Sequence, residues 1–176
     1  MKQGHLPTVL DLLIEQRNSC KIHDDVSKGF KQRASMRICG VDLTGNDAVI
    51  CLLVKGDGAL NLPDCRVRKL TLKKGHTGED LRQFQADFAM LMSEYSVDEV
   101  VIRERMPKGK FAGGAISFKL EAALQLVPDL KVTLMPPSKI NSTLAENPLS
   151  IKFSETELKA FQEVAFKTVY AACVTR

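Results

Sequence analysis

Two apolar runs, residues 37–43 (RICGVDL) and 48–54 (AVICLLV), are separated by Thr44, Gly45, Asn46 and Asp47. These four residue types favour turns, because glycine reaches positive φ and short polar side chains bond their own backbone. The pattern predicts a β-hairpin. After a turn-rich stretch from 56 to 64, the segment RVRKLTL at 66–72 mixes β-branched and basic residues, which suits a third strand near a sheet edge. Thr77 with Asp80 three residues later forms a capping signal, and Leu81, Phe84, Phe88, Leu91 and Tyr95 follow at helical spacing.

The run VDEVVI at 97–102 is short, β-branched and set between helical segments, so it reads as a buried parallel strand. It leads into Arg103, Glu104 and Arg105 and then a basic, glycine-containing loop, MPKGKFAGG. Residues 115–127 put Ile116, Leu120, Ala123, Leu124 and Val127 on one helical face before Pro128. A further strand is expected at 131–135, ended by Pro136 and Pro137. Ser138 should then cap a short helical turn that Asn147 and Pro148 break. A last helix is expected to open at Ser154, with Glu157 three residues on and Leu158, Phe161, Ala165, Val169 and Ala172 as its buried stripe. The predicted order is βββαβαβα, an α/β domain without internal repeat.

Residues 1–35 differ from this pattern. Val9 to Gln16 suits a short helix, but 18–35 is polar with little periodicity, and Met36 falls directly before the first strand. The expectation is therefore an N-terminal extension over 1–35, largely disordered, joined to one domain over 36–176, with Met36 as the natural start. A chain of 176 residues has room for a substantial core. No run approaches the roughly 18 apolar residues of a membrane span, and the N-terminus lacks a secretory pattern, which points to the cytoplasm.

The five cysteines are odd in number and show no CxxC spacing, so they read as reduced, small apolar residues. His5, His23 and His76 are scattered, which argues against zinc. Net charge is +4, with six Lys/Arg against four Asp/Glu in the first 35 residues, so local basic patches matter more than the total.

Within the first strand Asp42 is the only ionisable residue after Arg37. A carboxylate in a strand covered on both faces needs compensation, either from turn amides or from a cation.

The element order, together with GVDLTG ending the first strand at Asp42 and VVIRE ending the fourth at Glu104, resembles the ribonuclease H-like fold. It is most similar to the branch containing the resolvase RuvC and, within that neighbourhood, to a bacterial domain of unknown function, DUF3010. The resemblance spans 36–176 and implies a five-stranded mixed sheet of order 3-2-1-4-5 with helices on both faces. It further implies Asp42 and Glu104 side by side as catalytic and metal-binding acids, with Mg²⁺ or Mn²⁺ between them as the natural relief for two carboxylates. Phosphodiester hydrolysis of structured DNA or RNA is the implied activity. Lys108, Lys110 and Lys119 would face the substrate, and a homodimer is the implied assembly. Arg66, Arg68, Lys69, Lys73 and Lys74 make a second basic patch.

The resemblance has a gap. Resolvase-type enzymes place aspartates near the start of the last helix, where this chain has QEVAFKTV, residues 162–169. Glu163 falls nearly opposite the buried stripe, and Glu155 lies about two turns early, leaving Gln162 as a neutral third ligand. A catalytically reduced nuclease and a non-catalytic nucleic-acid- or protein-binding module on the same scaffold are therefore both open. GVDLTGND is also similar to the phosphate-binding hairpin of the actin, sugar-kinase and heat-shock chaperone superfamily, but those proteins use two such lobes and 36–176 supplies one.

Overall fold

The computed structural model describes residues 35–56, 58–109 and 112–176. The extension expected over 1–35 lies outside the described residues, apart from Ser35. Strand β1 (Met36–Thr44) turns into β2 (Asp47–Gly56) through Gly45 and Asn46, with Thr44 paired to Asp47. Gly45 has φ 58°, a conformation that carries no steric cost for glycine. This is the hairpin the polar interruption predicted.

The outer edge of β2 differs from expectation. Two short strands share it, β3 (Ala59–Asn61) against Val54–Gly56 and β4 (Lys69–Thr71) against Asp47–Val49. The expected third strand at 66–72 thus contracts to its centre, because the chain reaches the edge twice. β5 (Glu99–Arg103) runs parallel to β1, and β6 (Lys131–Met135) runs parallel to β5. The order is β3-β2-β1-β5-β6, with β4 also on β2. That is the mixed 3-2-1-4-5 arrangement with its outermost strand divided.

Helix α1 (Gly78–Glu94) starts at a reciprocal cap. The Asp80 N–H donates to Thr77 Oγ1 at 3.1 Å, and the Thr77 N–H donates to Asp80 Oδ2 at 3.0 Å. Accepting that amide holds the Asp80 carboxyl below its usual range. Helix α2 (Ala115–Gln125) lies beside α1, whose Gln85 donates from Nε2 to Ala123 O at 2.7 Å. Helix α3 (Pro137–Glu146) is a full helix where only a turn was expected from Ser138. Pro137 fits a first helical turn, where no intrahelical N–H bond is lost, and buried Ile140 and Thr143 hold the helix in place.

Helix α4 (Glu163–Val174) begins nine residues later than the Ser154 signal predicted. Two single 3₁₀ turns, Phe153–Glu155 and Ala160–Gln162, precede it, and Thr156 and Lys159 between them are extended. Phe153 and Leu158 pack on the core as individual anchors, while Phe161, expected in the buried stripe, is 49 % exposed. Ala165, Val169 and Ala172 are buried as expected.

Alternation along the strands divides the core. Ile38, Val49, Cys51, Leu53, Val101 and Met135 face α3 and α4. Gly40 shares that face, and a Cβ there would stand 2.4 Å from Ala165 O and 2.6 Å from Val169 Cβ, so glycine is what lets α4 lie directly on β1. Cys39, Cys51 and Cys173 are buried free thiols. Burial pushes Cys51 up to about 12 and Cys173 up to about 11, which keeps both as unreactive thiols. Among the described residues no helix is long and apolar enough to cross a membrane.

Candidate functional site

β1 and β5 are parallel neighbours, so their C-terminal ends meet at one edge of the sheet. Val41 pairs with Ile102, which sets Asp42 beside Arg103 and leaves Glu104 one step further along. A step of one residue in an extended chain reverses the side-chain direction. Asp42 and Arg103 therefore share the α4 face, and continuing the alternation sends Glu104 to the other face. The backbone at Glu104 is still laddered to β6, its N–H donating to Met135 O at 3.0 Å.

Asp42 is only 7 % exposed. Its Oδ2 accepts the Thr44 hydroxyl at 3.0 Å. Its Oδ1 lies 3.4 Å from Arg105 Nη1 and 3.6 Å from Arg103 Nη1. The compensation required by a buried carboxylate thus comes from two guanidinium groups two residues apart on β5 and its continuation. Arg105 is itself well covered, with a side chain 14 % exposed and a buried Nε that has no hydrogen-bond partner. Gly113 closes over it, since a Cβ there would meet Arg105 Cβ at 3.0 Å and Ser117 Oγ at 2.9 Å.

The acid near Glu104 is Glu121, on α2. Glu121 is 9 % exposed and accepts the Arg105 N–H at 3.2 Å. Burial pushes its carboxyl above the usual range, and the charge of Glu104 adds to the rise. Sequence reasoning passed over Glu121 because it stands inside an apolar helical face. A single acid between Leu120 and Leu124, both buried, was the available signal.

The remaining expected residues are distributed as follows. Gln162 is buried, but both ends of its amide serve the backbone. Its Nε2 donates to Ile50 O at 2.8 Å and its Oε1 accepts the Lys159 N–H at 3.1 Å. It braces the turn before α4 against β2, which accounts for its burial without a metal. Glu163 pairs with Lys167 at 2.7 Å on a partly exposed surface. Lys108 is exposed in the loop after β5, where Gly109 adopts φ 100°, and Lys119 is exposed on α2. Lys110 lies outside the described residues.

The second basic patch reaches the same end of the sheet. Lys69 is the register partner of Val49, which is in turn paired with Asp42. Lys69 is engaged by Asp47 at 2.8 Å. Lys73 and Lys74 continue beyond β4 and are exposed, with no ion pair among the described residues. The edge therefore carries Arg103, Arg105 and Lys108 from one side and Lys73 and Lys74 from the other.

The divalent ion that this fold implies was tested against these donors. Mg²⁺ requires oxygen ligands at about 2.0–2.1 Å in near-octahedral array. Oδ1 of Asp42 is covered by two cations, Oδ2 takes a hydroxyl, and Glu104 lies near enough to Glu121 for its charge to act on that carboxyl. Among the described residues no cluster of three or more His, Cys, Asp or Glu side chains could hold a metal. The donor set in this arrangement does not fit a resident divalent ion.

Residues 36–172 match a protein family described as "Protein of unknown function (DUF3010)". No curated protein matches the chain in sequence. Among solved structures, RuvC of Thermus thermophilus aligns with TM-score 0.59 at 14 % identity, covering 78 % of this chain and 92 % of that one. The T. thermophilus RuvC complex with a Holliday junction substrate aligns with TM-score 0.58 at 10 % identity, covering 80 % and 95 %. These likenesses establish the ribonuclease H-like, RuvC-type fold.

Proposed function

The chain belongs to the DUF3010 family, and from the arrangement at Asp42 we propose that its domain is a nucleic-acid-binding module, gripping the phosphodiester backbone of structured DNA or RNA at the edge formed by the ends of β1 and β5. The observation that carries this reading is the pairing of Asp42 with Arg103 and Arg105. One carboxylate against two guanidinium groups leaves a net positive centre with spare N–H donors, which suits a phosphate oxygen. Lys108 and Lys119, and Lys73 and Lys74 across the hairpin, extend the surface over several phosphates. The RuvC complex with a Holliday junction substrate supports branched DNA as the first ligand to try. The site of action is the cytoplasm, in keeping with the buried free thiols.

The test is fluorescence anisotropy with a four-way junction, a plain duplex and an RNA/DNA hybrid over a series of salt concentrations. About three phosphate contacts predict a log-log slope near −2.7, at about −0.9 per contact. Salt-insensitive binding, or none at low salt, overturns the reading. Light scattering of the same samples measures whether a homodimer binds.

A second reading retains phosphodiester hydrolysis with Asp42 and Glu104 as acids and Mg²⁺ or Mn²⁺ as cofactor. The nearness of Glu104 to Glu121 favours it, because the Glu104 charge adds to the rise of the buried Glu121 carboxyl and an added cation would relieve that repulsion. Metal-dependent cleavage of the junction, abolished by Asp42→Asn, would select this reading.

A further inference from the structure

We infer that the cation at Asp42 is the chain's own guanidinium pair, Arg103 and Arg105, and that the phosphodiester taken by this edge is bound without a divalent ion. The ligand half of this inference rests on the nucleic-acid reading above; the cation half rests on geometry alone.

An acid at the end of the central strand has to be neutralised, and a bound metal is one means of doing so. Here β5 supplies another. Arg103 is the register neighbour of Asp42, and Arg105, two residues later, returns to the same face. Both guanidinium groups reach Oδ1, at 3.6 and 3.4 Å. A divalent ion at that oxygen would stand against two positive charges. To admit it, Arg105 would have to leave a site in which its side chain is 14 % exposed, with Gly113 closing over it. The other oxygen already accepts the Thr44 hydroxyl.

The same arrangement leaves donors unused. A guanidinium offers five N–H groups in a planar fork. The Arg103 side chain is 31 % exposed at the rim, so its N–H groups turned away from Asp42 are accessible, while the partnerless Nε of Arg105 is buried beneath it. Asp42 thus orients the two arginines, and the outward N–H groups of Arg103, with the charge of Arg105 behind them, meet the anion. The ligand class is a phosphate diester oxygen, recognised by guanidinium forks as metal sites on other scaffolds recognise it through Mg²⁺.

The experiment has two arms on the full chain. In the first, thermal melts and Mn²⁺ titrations followed by electron paramagnetic resonance compare the wild type with the double variant Arg103→Gln/Arg105→Gln. The wild type should show no Mn²⁺-dependent shift at millimolar ion, and the double variant should gain one that a further Asp42→Asn removes. In the second, junction binding is measured in Mg²⁺ and in chelator. Affinity should be the same in both buffers, and should fall by more than about tenfold in the double variant as two phosphate contacts are lost.

A wild-type Mn²⁺ signal lost in Asp42→Asn, or binding that collapses in chelator, overturns the inference. If the wild type binds no nucleic acid in either buffer yet stays silent to Mn²⁺ while the double variant responds, the ligand and the proposed function fall and the guanidinium pair stands in the ion's place. Should the double variant fail to fold, Arg103→Gln alone carries the test, because its side chain is the more exposed of the two. That variant should lose junction affinity with its melt unchanged, and unaltered affinity counts against the inference.

Discussion

Two buried carboxylates stand at opposite ends of the same sheet face, Glu99 at the start of β5 and Asp42 at the end of β1, and each is answered by two cations. Glu99 is fully buried; its Oε1 accepts from Arg176 and from the Thr133 hydroxyl at 3.1 Å, and its Oε2, without a hydrogen bond, stands 3.1 Å from the Lys131 ammonium. Asp42 is nearly as buried, but its arginines stand at 3.4 and 3.6 Å, and Arg105 keeps an unpartnered Nε. The cations around Glu99 come from β6 and from just beyond α4, so the pairing ties separate elements together. Those around Asp42 both come from one short segment, β5 and its continuation, and tie β1 to that neighbour alone. A fully buried acid whose cations tie separate elements together is a closed, structural cluster. One whose cations come from a single segment, with Arg103 at the rim, is placed to meet something else.

Substitutions separate the two ends, and the largest effect belongs to the closed one. Arg176→Met leaves Glu99 buried with one cation fewer and should cost about 3 kcal/mol in a denaturant melt, with junction binding unchanged. A loss below about 1 kcal/mol, the level of a surface pair, would remove the contrast. Next is Gly40→Ala. The added Cβ pushes against Ala165 O and Val169, lifting α4 from β1 at a cost of about 2–3 kcal/mol, again in the melt and not in binding.

Asp42→Asn should cost only about 1 kcal/mol, because its arginines stand at 3.4 and 3.6 Å, long for charge-assisted contacts, and the amide oxygen can still accept the Thr44 hydroxyl. The sign of its effect on binding is the sharper readout. Freed arginines should bind the junction about fivefold more tightly, as expected when one negative charge leaves a phosphate site. Weaker binding would mean that the orientation Asp42 gives the arginines outweighs the charge it takes from the site.

The smallest effect concerns Glu121. Its native pKa is raised, so between the ordinary carboxylate value and that raised value the folded chain binds more protons than the unfolded one. Stability contributed by this group is therefore present at low pH and declines as pH rises through that window. Glu121→Gln should remove the decline, leaving melts within about 0.5 kcal/mol of wild type at low pH and slightly more stable at neutral pH. A parallel offset at every pH would show that burial of Glu121 carries no titration cost.

Much of the scaffold was legible along the chain. The hairpin could be read because the two apolar runs are interrupted by four consecutive turn formers, and α1 because Thr77 and Asp80 announce it ahead of a helical stripe. The last helix was misread for a specific reason. Ser154 and Glu157 form the same local signal as a cap, but Phe153 and Leu158 pack separately against the core, Phe153 beside Phe166, and that packing outweighs the local preference for a longer helix. At the site, Asp42 and Glu104 were visible as acids at strand ends. The direction each takes was not, since it depends on a register that can shift by one residue without changing the composition of either strand.

The chain alone determined most of the strands and helices and that Asp42 would need a counter-charge. Only the tertiary structure decided that β5 meets β1 with Arg103, and not Glu104, beside Asp42. It also brought Glu121 to the back of Arg105 and spent the Gln162 amide on Ile50 and Lys159. The reason is physical. Periodicity follows from bond geometry within a few residues, whereas the partner of a buried charge is set by contacts between segments more than sixty residues apart, such as Asp42 and Arg105, whose alignment is chosen by the packing of the whole core.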